Sequence, residues 1–203
     1  MANENNNTRS KKGPELGKVP EKLIKEQLKL PPQAVETERG LLNVLLTHEH
    51  AFDEVCQQLM PEVFYLKIHQ YIYEAISELA LAQKSIDSIT VAEQLKKNGK
   101  FDEVGGYEYL AELADIGTSA VSLEQYADII YDKFLARDLI RIASSVENQA
   151  FNDGTDIKNL MEYAEGQMFE LNQRRVKKEV TKVKDVLTDE LRHLMDERVG
   201  ILA

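Results

Sequence analysis

Residues 122–175 read SLEQYADIIYDKFLARDLIRIASSVENQAFNDGTDIKNLMEYAEGQMFELNQRR, and their periodicity decides the fold. Apolar residues recur at helical spacing from Leu123 to about Phe151 without a break, a stretch well beyond the common helix length of about 10–14 residues. Ser122 with Gln125 fits a capping box at its start, in which side chains satisfy the orphan backbone donors of the first turn. Asp153-Gly154 marks a turn, and a second helical pattern runs from Ile157 to about Arg174. So short a connection forces the two helices antiparallel, as a helical hairpin. The first arm carries Leu135, Leu139, Ile140, Ile142, Ala143, Val146 and Phe151, and the second Leu160, Met161, Ala164, Met168, Phe169 and Leu171. Two helices need only one stripe each against the other, and a surplus of exposed apolar surface marks a partner site. The hairpin is therefore expected to self-associate through Leu135, Leu139, Ile142, Val146, Leu160, Ala164 and Phe169. The competing reading, in which it folds back onto the preceding segment and the surplus is ordinary core, suits the length of the first arm less well.

Upstream, residues 31–121 read as a head of short helices. Val35, Leu41, Leu42, Leu45 and Leu46 share one face. Phe52, Val55, Cys56 and Leu59 continue on a second helix that Pro61 terminates, which makes Cys56 a core residue. Ile68, Ile72, Ile76 and Leu79 form a stripe on a third. Thr90 with Glu93 reads as another capping box, on a helix that stops near Asn98-Gly99. Gly105-Gly106 opens a short helix carrying Tyr109, Leu110 and Leu113. Before the head, Pro31-Pro32 breaks a polar, Asn-rich and basic tail, residues 1–30, whose end holds a short amphipathic pattern through Leu23, Ile24 and Leu28. After the hairpin, Arg174 to Glu179 reads as a linker. Val183, Val186, Leu187, Leu191 and Leu194 then place one apolar stripe on a last helix, within residues 176–203. The fold class expected is all-α: tail, multi-helix head, long antiparallel hairpin and C-terminal linker helix.

The formal net charge of −10 is unevenly spread: residues 1–30 hold seven Lys or Arg against four Glu, so the remainder carries −13. A body so acidic repels phosphate, because nucleic-acid affinity comes largely from basic groups displacing counterions. No apolar run approaches the roughly 18 residues of a membrane span. The first residues have no apolar stretch of a secretory signal, and the single cysteine, Cys56, suits a reducing compartment.

Motifs of catalysis are missing. Lys follows Gly only at Gly17-Lys18 and Gly99-Lys100, neither within a phosphate-binding loop, so nucleotide hydrolysis by this chain is not expected. His48 and His50, two apart, point to different sides of a helix and read as polar residues at its end rather than metal ligands. Asp102-Glu103 and Asp196-Glu197 read as solvated faces and caps. The tyrosines have mostly acidic neighbours, as in Tyr107-Glu108-Tyr109, and so do not read as a stacking platform for bases. No catalytic, cofactor or metal site is expected.

Several segments taken in order resemble the N-terminal domain of the bacterial DnaB-type replicative helicase. They are Pro31 to Glu38 with Gly40-Leu41-Leu42, Pro61 to Tyr65 with His69, Ile72 and Ala75, and Ile86 to Glu93. Val104 to Leu113 follows, then Tyr126 to Ile130 with Leu139-Ile140; the match covers about residues 31–195. The resemblance implies a non-catalytic module whose hairpins pair into dimers and whose dimers, three together, close a hexameric ring. It implies that the linker helix, through Val183, Val186, Leu187, Leu191 and Leu194, docks on a neighbour's ATPase domain, a domain expected to lie beyond this chain. It further implies primase and, in some organisms, a loader as partners, a cytoplasmic location, and ATP with Mg2+ and DNA only for the complete ATP-dependent helicase. The alternative is an accessory DNA-binding domain acting through the basic tail.

Overall fold

In the computed structural model, residues 30–48 and 50–176 are described. The amphipathic pattern around Leu23, Ile24 and Leu28 and the last helix, Val183 to Leu194, lie outside them. The described residues hold eight α-helices and no strand. They are α1 (Val35–Thr47), α2 (Ala51–Val55), α3 (Lys67–Leu81), α4 (Ser88–Lys97), α5 (Phe101–Val104), α6 (Gly106–Ala114), α7 (Leu123–Ala150) and α8 (residues 157–176).

The head is built around α1. Every residue from Gly40 to Leu46 is buried, because α1 packs at once against α3, α6 and α7. A helix buried on several sides needs apolar residues all round, and LLNVLL supplies them except at Asn43. Ile72, Ala75, Ile76 and Leu79 of α3 and Val91, Ala92 and Leu95 of α4 close one side of this core. Leu123, Ala127, Ile130, Tyr131 and Phe134 close the other. The first turns of α7 thus belong to the head, and the same helix leaves it to become the first arm of the hairpin.

The three polar residues that this core buries, Glu38, Asn43 and His69, are partnered. Glu38, on α1, accepts hydrogen bonds from the Tyr65 amide (2.7 Å) and the Leu66 amide (3.4 Å), just before α3 begins. It supplies acceptors for two amides on the approach to that helix, which buried backbone donors require. His69 stands between Glu38 Oε2 (2.7 Å from Nδ1) and the Tyr109 hydroxyl (2.6 Å from Nε2), tying α1, α3 and α6 together. Asn43 does the same at the far end of α6. Its amide donates to the carbonyls of Leu113 and Ala114 (2.8 and 2.9 Å), and its oxygen accepts from the Thr118 amide (2.9 Å). Arg137 of α7 donates to the carbonyls of Pro32 (2.9 Å) and Val63 (2.6 Å) and lies over the Tyr65 and Phe134 rings.

Three local expectations are corrected. The cap of α4 is Asp87, whose carboxylate accepts from the Ile89 and Thr90 amides (both 2.9 Å). Thr90 is its reciprocal partner and Glu93 pairs with Lys96; a carboxylate three residues earlier makes the stronger acceptor for the first turn. Ser122 makes no side-chain cap. A 3-10 turn, Ala120–Ser122, precedes α7 and places Ser122 already inside the coil, so Ser119 caps that turn instead. Helix α2 stops at Val55, which leaves Cys56 half-exposed, its Sγ 3.5 Å from the Asp53 carbonyl, rather than in the core. Pro61 opens a 3-10 turn of its own, Pro61–Val63.

Candidate interaction surface of the hairpin

Beyond Phe134 the helix α7 leaves the head, and α8 runs back along it. Ile142 and Leu160 are buried between the arms, and Leu135, Val146, Ala164, Gln167 and Leu171 are half-buried beside them. At 100° per residue these side chains form one inward strip on each arm. Five residues of the expected self-association set, Leu135, Ile142, Val146, Leu160 and Ala164, therefore lie in or next to the seam. Leu139 is 45% exposed and Phe169 64%. The residues expected in the linker helix lie outside the described region.

The seam divides the hairpin into two unlike faces. On one side the contacts between arms are polar: Arg174 meets Asp138 at 2.8 Å, the Ser145 hydroxyl meets that of Tyr163 at 3.3 Å, and the Tyr131 hydroxyl donates to the Arg174 carbonyl at 3.2 Å. Arg141 shares the Asp138 carboxylate at 3.0 Å. On the other side the same helical angles bring together Ala136, Leu139, Ala143 and Ala150 from the first arm and Ile157, Met161 and Met168 from the second. Leu139, Ile157, Met161 and Met168 are all exposed. Near the head this face holds a shallow apolar groove of about 330 Å³, lined by Leu135, Ala136, Leu139, Met168, Leu171, Asn172 and Arg175. Ile140 and Phe169 project outward from the backs of the arms and are exposed as well.

Small residues on one arm opposite large flexible ones on the other make a surface that a second helix can approach closely, with methionines able to fill irregular gaps. Among the described residues no group of three or more His, Cys, Asp or Glu is placed to hold a metal, and no helix is long and apolar enough to cross a membrane. His48 closes α1, and His50 sits in a left-handed backbone conformation (φ 65°) before α2. Burial pushes the hydroxyls of Tyr73, Tyr109 and Tyr131 up from the ordinary tyrosine range. What sequence reading missed is the sidedness. Ala136 and Ala150 carried too little hydrophobicity to be noticed, and Asp138 and Arg174 are 36 residues apart.

Comparison with known proteins places these features in a group. Residues 30–132 match the family described as DnaB-like helicase N terminal domain. The chain is 32% identical over 159 residues to the replicative DNA helicase DnaB of Geobacillus stearothermophilus, an alignment covering 78% of this chain and 35% of that protein. It is 33% identical over 151 residues to DnaB of Haemophilus influenzae, covering 73% of this chain and 32% of the relative. The chain thus spans about a third of the length of these curated relatives. The crystal structure of the N-terminal domain of DnaB helicase from Mycobacterium tuberculosis superposes with a TM-score of 0.66 at 29% identity, covering 70% of this chain and 99% of that one. A structure described as that of a DnaB-like replicative helicase and its interactions with primase shares the fold, with a TM-score of 0.55 at 24% identity over 70% of this chain and 31% of that one.

Proposed function

Because the chain belongs to the DnaB-like helicase N-terminal domain family, we propose that it is the non-catalytic assembly and docking part of a replicative DNA helicase. The observation that carries this reading is the two-faced hairpin, apolar through Leu139, Met161 and Met168 and polar through Asp138, Ser145 and Arg174. An apolar face of this kind is satisfied by an identical face on a second copy, since a two-fold contact makes one patch its own complement. Dimers formed in this way are the units from which a hexameric ring of three dimers is built.

The remaining roles rest on kinship. ATP, Mg2+ and duplex unwinding belong to the part of the relatives that this chain does not span, and DNA is met only by the complete ring. The stripe Val183, Val186, Leu187, Leu191 and Leu194 docks on a neighbouring subunit. Primase, with which one structural neighbour interacts, is the partner the assembled ring receives, with a loader where one exists. The setting is the cytoplasm. The alternative of DNA binding through residues 1–30 rests on a tail of which all but Leu30 lies outside the described residues.

Sedimentation equilibrium tests the assembly claim. The wild-type chain is expected to be dimeric or larger at micromolar concentration, and Leu139→Glu together with Met168→Glu to be monomeric with its helix content intact. A wild-type chain that stays monomeric at the highest attainable concentration would remove the claim. Titrating primase onto the assembled species tests docking separately, and no binding there removes that part alone.

A further inference from the structure

We infer that a polar latch at the base of the hairpin, formed by Tyr131, Asp138 and Arg174, controls self-association through a face that none of the three residues belongs to. This rests on the reading that the apolar face pairs with a second copy.

The groove on that face has one wall from each arm: Leu135, Ala136 and Leu139 on α7, and Met168 and Leu171 on α8. It exists only while the arms are closed at their base. Apolar burial does not hold this end of α8, for residues 172–176 are all exposed and Leu171 only half-buried. Polar contacts do. Tyr131 is 3% exposed and part of the head core, so its hydroxyl is held still when it donates to the Arg174 carbonyl at 3.2 Å. The Arg174 guanidinium returns to α7 at Asp138, 2.8 Å away, and Arg141 steadies that carboxylate from the next turn. The Asp138 side chain is 13% exposed, so this pair is less screened than one on the open surface. Arg174 thus ties α8 to the head by its backbone and to the first arm by its side chain. Leu171, three residues before Arg174, and Arg175, next after it, both line the groove.

Releasing the latch lets the last turns of α8 swing away and removes a wall of the groove. Conversely, a second copy seated in the groove braces the end of α8 and favours the latched state, since coupling between two sites is reciprocal. Assembly is thereby linked to whatever pulls on the chain just past Val176, and to salt.

The test uses the complete chain carrying Tyr131→Phe, Asp138→Asn or both, changes that keep core volume and helix. Backbone hydrogen exchange and the dimer dissociation constant are measured for each. In the double variant, amides of 168–176 are expected to exchange about tenfold faster, the combined effect of one hydrogen bond and one partly buried ion pair, while those of α1 and α3 are unchanged. The dimer is expected to weaken about as much, and raising salt from about 0.05 M to about 0.5 M should weaken the wild-type dimer more than the double variant. Unchanged exchange at 168–176 would overturn the latch, as would exchange rising equally in α1 and α3, which means the residues only hold the head together. Loosened ends with an undiminished dimer would overturn the link to assembly. Leu139→Glu separates the two ideas: wild type and Leu139→Glu both monomeric defeats the pairing reading and the control of assembly with it, whereas exchange at 168–176 still decides whether the latch exists.

Discussion

Replacing Asn43 tests how the head is locked. Its side chain is 1% exposed and makes three hydrogen bonds to backbone that is about seventy residues away in sequence: two to the last carbonyls of α6 and one from the Thr118 amide. Asn43→Ala removes all three and takes this partner from the part-buried Thr118 amide and Ala114 carbonyl, whereas the buried Leu113 carbonyl still accepts from the Ile116 amide at 3.5 Å. At about 1 kcal/mol net for each bond, with a further penalty for the orphaned groups, the loss is expected to be about 3–4 kcal/mol. That is a large share of the total stability of about 5–15 kcal/mol typical of folded domains. In urea, with a slope of about 2 kcal/mol per molar, the midpoint should fall by about 1.5–2 M. Asn43→Asp is the sharper variant, because it has the same shape. One carboxylate oxygen keeps the Thr118 amide, but the other replaces the donor between two carbonyl oxygens. At neutral pH it should cost at least as much as Asn43→Ala, and part of the loss should return as the pH falls and that carboxyl is protonated. Far-UV circular dichroism against urea, at one fixed protein concentration, measures all three proteins. A loss below about 1 kcal/mol for Asn43→Ala, or Asn43→Asp outlasting it at pH 7, would refute the locking role.

Two further expectations concern the head. Burial raises the Tyr73 hydroxyl, so above the ordinary tyrosine value of about 10 the unfolded chain releases a proton that the folded one retains. Stability should be level below that pH and fall as it rises further; in Tyr73→Phe, followed by urea midpoints between neutral and alkaline pH, the fall should be shallower, and an equally steep one would contradict this. Gly105 has φ 97° and a Cβ built on it would lie 3.2 Å from that of Tyr109, whereas Gly99 has φ 68° and open space. Gly105→Ala should therefore cost about 2–3 kcal/mol and Gly99→Ala about 1 kcal/mol in thermal or urea melts, and a reversed order would show that the junction of α5 and α6 yields.

Periodicity made the hairpin legible, since a 28-residue helix repeats its pattern often enough to exclude a strand, and Asp153-Gly154 interrupts it cleanly. Short-range signals were less dependable. Thr90 looked like a cap because a hydroxyl three residues before a glutamate is the usual sign, yet Asp87 was available one turn earlier. Cys56 looked buried because Phe52, Val55 and Leu59 flank it, but α2 ends before it can complete another turn. Glu38, Asn43 and His69 could not be found from the sequence as buried groups, because each is made tolerable by partners on other helices or in the loops beside them, 27 to 75 positions distant. The division of the hairpin into apolar and polar faces was hidden for a related reason. Hydrophobicity along one helix says how much surface is apolar, but the position of the second arm decides which part of it is left outside.

The continuity of α7 makes the head and the hairpin keep time with each other. Its 28 residues rise about 42 Å as one rod, the early turns set in the core and the later ones carrying the apolar face. One residue inserted after Phe134 would turn that face by about 100° about the rod, away from any partner it was aligned with, while an insertion of about seven would turn it back to within about 20° and move it about 10 Å outward. Length changes in this helix are thus rationed by phase rather than by size. The hairpin can be lengthened by whole pairs of turns, and a single added residue, harmless in a loop, points it the wrong way.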